Sequence, residues 1–209
     1  RELCGTIEDI FDSPNFPESV KDLFLDSTTA LRTRYNYCPR NKVVLLIDFE
    51  RPGVIDFTML PSQETINESK IEVSGNDVTW VNGVFQEAVD YISKHPAAAT
   101  WLHRHTVYDI IVLLLGLPLS FWVCSKVSSS IETALSGHSV FLRAALYVYV
   151  FFISLSLLRV AFHYARWIWP LTEYRSSKNK SLKHKTAFVA ICSSVGLSLL
   201  YDVLKWLLK

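Results

Sequence analysis

Few groups in this chain have the residue types and spacing that chemistry needs. Asp48, Glu50 and Asp56 gather around an Arg51-Pro52-Gly53 turn, where carboxylates could pair for acid–base work or share a divalent cation. Strand alternation, which turns every second side chain to water, is the plainer explanation. Arg159, His163 and Arg166 recur at i, i+4 and i+7 and form one cationic stripe near the end of an apolar run. Such a stripe suits a partner carboxylate or an anionic lipid, or simply snorkels into the headgroup layer. Asp109 sits about one turn inside another apolar run, where a carboxylate is costly unless paired. Arg159, at a similar depth on the next helix, is its expected partner, and a cap on the entering helix is the competing role. His103 and His105 stand near the same point without completing a reaction set.

The familiar catalytic signatures are missing from the sequence: there is no Gly-rich phosphate loop, no nucleophile elbow and no HExxH. Cys4, Cys38, Cys124 and Cys192 are far apart and lack CxxC spacing, so buried, inert thiols are expected rather than a disulfide framework or a zinc site. Asn67-Glu68-Ser69 fits a glycosylation acceptor, a match common by chance. No catalytic, metal or cofactor site is therefore expected, and an enzyme is disfavoured.

The elements that must position these groups divide the chain in two. Residues 1–105 carry sixteen Asp/Glu and ten Lys/Arg (10 − 16 = −6), and residues 106–209 carry four and eleven (11 − 4 = +7). The acidic half argues against a nucleic-acid surface. Residues 1–100 read as a soluble α+β domain of order α-β-β-β-α. A helix is expected over 16–34, with Val20, Phe24, Thr28 and Leu31 at helical spacing. Strands are expected over 42–50, 54–60 and 70–74. Asn76 or Asp77 then caps a second helix whose apolar side carries Val78, Val81, Phe85, Ala88, Val89 and Ile92.

Residues 101–209 read as an all-α membrane bundle of two to three helices, with spans near 106–124, 140–160 and 186–204. Pro118 should kink the first span. The second apolar stretch continues to Pro170, too long for a bilayer core alone. The basic loop 171–185 is expected to be cytoplasmic, and the N-terminal domain with it. The third segment either spans or docks at the surface. Ala190, Ser194 and Ser198 give it a small-residue stripe that permits close helix approach in lipid.

Three spans without an internal repeat disfavour a transporter. A non-enzymatic sensor or effector is the leading expectation: a cytoplasmic domain meets a signal or protein partner and acts on a homo-oligomeric bundle in the lipid bilayer. In layout alone, the chain resembles small bacterial effectors that permeabilise the inner membrane. An accessory subunit or scaffold of a larger membrane complex is the alternative, with a membrane enzyme behind it.

Overall fold

The computed structural model describes residues 20–54, 60–95, 97, 99–173 and 181–208. They fall into two compact units. One comprises Arg1–Glu50, Ile66–Thr100 and Pro170–Asn179, and the other Arg51–Thr65, Trp101–Trp169 and Lys180–Lys209.

The first unit is α+β. Its strands β1 (Asp22–Asp26), β2 (Lys42–Asp48) and β3 (Lys70–Ser74) form an antiparallel sheet in the order β1-β2-β3. The register places Leu23 opposite Ile47, Leu25 opposite Leu45, Leu45 opposite Ile71 and Val43 opposite Val73. These aliphatic residues therefore share one face, because facing residues on paired strands point the same way. Helix α1 (Thr29–Tyr35) lies between β1 and β2, and helix α2 (Val78–Ser93) follows β3 and packs on it.

The α+β class holds, but the element order among the described residues is β-α-β-β-α. The helix expected over 16–34 is a strand followed by a short helix, and residues 16–19 lie outside the described set. Two periods compete there. The helical one joins Phe24 to Thr28, while the alternating one puts Leu23 and Leu25 against the central strand, and pairing with β2 decides it. Asp26 ends the strand: its Oδ1 accepts from the backbone N and the Oγ1 of Thr28, each at 2.8 Å. These bonds hold the Asp26 carboxyl low, at about 2. The strand expected over 54–60 falls mainly on 55–59, outside the described residues.

Helix α2 begins as its sequence foretells, with Asp77 Oδ1 accepting from Thr79 N at 2.9 Å. Its apolar side is less covered than expected. No residue of α2 is buried, and Phe85 remains 45% exposed. Val44 is the one buried hydrophobic residue among the described part of this unit.

The second unit contains three helices long and apolar enough to cross a membrane: α3 (Val107–Ala134), α4 (Val140–Ile168) and α5 (Ser181–Leu207), the last with a candidate span over Leu182–Lys205. They suggest an integral membrane protein. Helix α3 runs well past residue 124, and hydroxyls in its polar part bond back to their own helix (Ser128 to the Ser125 carbonyl and Thr133 to that of Ser129, both 2.8 Å). It passes through one π-helical turn, Val112–Gly116, just before Pro118. Proline cannot donate an amide and crowds the preceding turn, and a widened turn accommodates it.

Helices α3 and α4 form an antiparallel hairpin packed along its length. Tyr108 meets Phe162 with ring centroids 5.2 Å apart, and Phe121 meets Phe151 at 5.2 Å. Further along, Cys124 Sγ lies 3.7 Å from the Tyr147 carbonyl, and Arg143 pairs with Glu132 at 3.1 Å. Gly116 is buried midway, where a Cβ would lie 2.7 Å from Leu158 Cδ2.

Candidate functional site

Three buried polar groups of the second unit, His103, His163 and Arg166, lie where α3 begins and α4 ends. A 3₁₀ turn, Thr100–His103, leads towards α3. Thr106 stands at its entrance with φ 65°, unusual for a β-branched residue. Its amide donates to the Ser62 carbonyl at 2.9 Å, and Thr65 N donates to the His103 carbonyl at 3.3 Å. The chain before the first candidate span is thus tied to residues 62–65 by its backbone.

His103 is 3% exposed and bonded through both ring nitrogens. Its Nε2 lies 2.7 Å from the Trp169 carbonyl and its Nδ1 lies 2.8 Å from Thr65 Oγ1. A carbonyl only accepts, so Nε2 carries the proton, and a neutral ring then accepts the Thr65 hydroxyl at Nδ1. Burial, with the Arg166 charge as a further cause, pushes the His103 pKa below its ordinary value, against the opposing effect of the Trp169 bond. Arg166 is 3% exposed. Its Nε donates to the Leu102 carbonyl at 2.9 Å, and its guanidinium carbon lies 4.7 Å from the centre of the Phe162 ring.

This cluster has a sign in pH. A group whose folded pKa is depressed binds more protons unfolded, so its stabilising effect is complete above the unfolded value and is lost as pH falls. The tie at His103 should hold above about pH 6.5 and weaken below it. His103→Gln, uncharged at every pH, should flatten that part of the stability profile. Thermal midpoints of both proteins between pH 5 and pH 8 (roughly the titration range of histidine) are the check. Parallel profiles would show that His103 does not carry the dependence.

The cationic stripe is turned inward. His163 and Arg166 are buried, at 5% and 3% exposure, and Arg159 is half-buried, so enclosure by polypeptide replaces the expected snorkelling of the first two. Asp109 and Arg159 are not brought together. The described ion pairs of this unit are Arg143–Glu132 and Lys126–Asp202, and Asp109 is exposed. The Tyr108–Phe162 contact sets Arg159 only about half a turn deeper than Asp109, whose side chain is exposed.

A polar clasp that sequence reasoning missed lies on α3 and α5. Asp202 Oδ2 accepts from Trp122 Nε1 at 2.7 Å and pairs with Lys126 Nζ at 2.7 Å. Near its other end α5 meets α4, where Tyr164 Oη lies 2.8 Å from His184 Nδ1 and the Tyr164 and Phe188 rings are 5.7 Å apart. Between these attachments Ala190, Ser194 and Ser198 are exposed, and a Cβ at Gly196 would meet nothing within 4 Å.

In the first unit the carboxylates have structural work. Buried Asp48 accepts from the amides of Glu50 (2.7 Å) and Glu68 (3.2 Å), instead of facing water. Glu50 pairs with Lys21 at 3.0 Å, and Asp56 lies outside the described residues. Among the described residues no three His, Cys, Asp or Glu side chains could hold a metal ion. The Asn67 amide donates to the Asp48 carbonyl at 3.2 Å and to Thr172 Oγ1 at 3.4 Å, a structural engagement for the glycosylation-like triplet. Cys38, Cys124 and Cys192 are free thiols, but Cys38 and Cys192 are exposed and Cys124 is half-buried, contrary to the burial expected of them.

No family model matches the chain, and neither does any curated protein or solved structure. The functional reading therefore stands on the residues alone.

Proposed function

We propose that this is a non-enzymatic three-span membrane protein with a cytoplasmic α+β domain. That domain docks a signal or protein partner and governs a bundle assembled from several copies. The observation that carries the reading is the uneven use of the helices. Helices α3 and α4 pack on each other throughout, whereas α5 is attached near its two ends. The exposed small residues Ala190, Ser194 and Ser198 leave its middle open to another copy, since packing in lipid is gained by close backbone approach rather than by apolar bulk. The basic loop before α5 favours a cytoplasmic location for both the loop and the α+β domain. A bundle of this kind perturbs the membrane when its domain is triggered, as bacterial inner-membrane effectors of similar layout do.

Inducible expression followed with a membrane-potential dye tests this reading. The full chain should depolarise cells, and a chain ending near residue 100 should not. Ser194→Leu with Ser198→Leu should abolish depolarisation and shift the detergent-solubilised particle to a smaller species. Depolarisation by the double variant at an unchanged particle size would sink the assembly through α5.

A further inference from the structure

Arg166 has more hydrogen-bonding capacity than the described residues use. Its Nε is satisfied by the Leu102 carbonyl, but its Nη2 is buried without a hydrogen-bond partner. An enclosed guanidinium with an unmatched N–H is costly and calls for an oxyanion. Arg51 and Arg104 add positive charge at this end of the unit.

Depth selects among oxyanions. The candidate span of α4 ends at Ile168, so Arg166 lies in its last turn, where phosphates of a bilayer are found. Trp167 and Tyr164 are stacked beside it on the same helix, 5.8 Å between centroids, as aromatic residues at that level commonly are. Arg51 lies over the Trp167 ring at 5.0 Å and adds a second guanidinium at the helix end.

We propose that Arg166 seats a phosphate oxygen of an anionic phospholipid headgroup through its unmatched N–H. Guanidinium donors match phosphate oxygens in direction as well as charge. Because that N–H is covered in this structure, seating the headgroup requires the covering side chains to move aside. The inference rests on membrane insertion and not on the partner-driven reading above, so either can fail while the other stands.

The test uses the full chain in nanodiscs of phosphatidylcholine alone, of phosphatidylcholine with phosphatidylglycerol, and of phosphatidylcholine with added inorganic phosphate. Phosphatidylglycerol should raise the thermal midpoint by about 3 °C or more, and native mass spectrometry should find it retained in preference to phosphatidylcholine. Arg166→Gln should remove both effects. If that variant does not fold, the comparison of lipids on the unmodified chain decides alone. An equal rise with inorganic phosphate would keep the phosphate site but overturn the lipid as its source. Equal midpoints in all three preparations, with no phospholipid retained, would overturn the proposal.

Discussion

Leucine in place of Gly116 should drive α3 and α4 apart and cost about 2–3 kcal/mol of stability. The added Cβ alone would lie 2.7 Å from Leu158 Cδ2 and 3.4 Å from Leu155 Cδ2. Those atoms belong to the facing helix, so relief requires rotating packed side chains or separating the backbones. Separation would also loosen the Tyr108–Phe162 and Phe121–Phe151 contacts on either side. Alanine should cost less, about 1 kcal/mol, since only one methyl group must be fitted. Thermal unfolding of the three proteins in one detergent ranks them. An unchanged midpoint for Gly116→Leu would mean that the hairpin does not close at this glycine.

The second large effect is expected at Asp202. Leucine there removes the acceptor of the Trp122 indole and the counter-charge of Lys126 together. Asparagine keeps an acceptor for the indole but not the charge. Folded yield should therefore fall in the order Asp202, Asn, Leu, with the last lowered several-fold, about the scale that small stability losses produce in cells. Adding Lys126→Met to Asp202→Leu should recover part of the yield, because a pair removed whole leaves no unmatched charge. A double variant no better than Asp202→Leu would show that the two residues act separately.

These two sites show what the sequence makes legible. Depth along a helix could be read only in part. Lys126 and Asp202 each stand about 20 residues into their candidate spans, a correspondence that appears only because α3 continues past residue 124. Azimuth could not be read. Asp109 and Arg159 were matched by depth alone, and Asp109 is exposed.

The same limit applied to the α+β domain. The Asp77 cap, β2 and β3 follow from local chemistry, and they are found as expected. Strand β1 depends on its pairing with β2, a contact that helical spacing in residues 20–31 conceals. The buried tie through His103, Thr65 and the Trp169 carbonyl joins residues far apart in sequence. Its one advance signal was a cluster of histidines just ahead of an apolar run.

The central claim is a chain that crosses the membrane three times, and side-specific reporters measure it most directly. Fusions at the N-terminus and after Lys178 should both report the cytoplasmic side. Reporters inserted near Ser130 and at the C-terminus should both report the opposite side. The positive-inside rule applied to the basic loop predicts the sign of this pattern, and the three candidate spans predict its alternation. A C-terminal reporter on the same side as Lys178 would reduce the spans to two, and disagreement between the N-terminal and Lys178 fusions would contradict the hairpin itself.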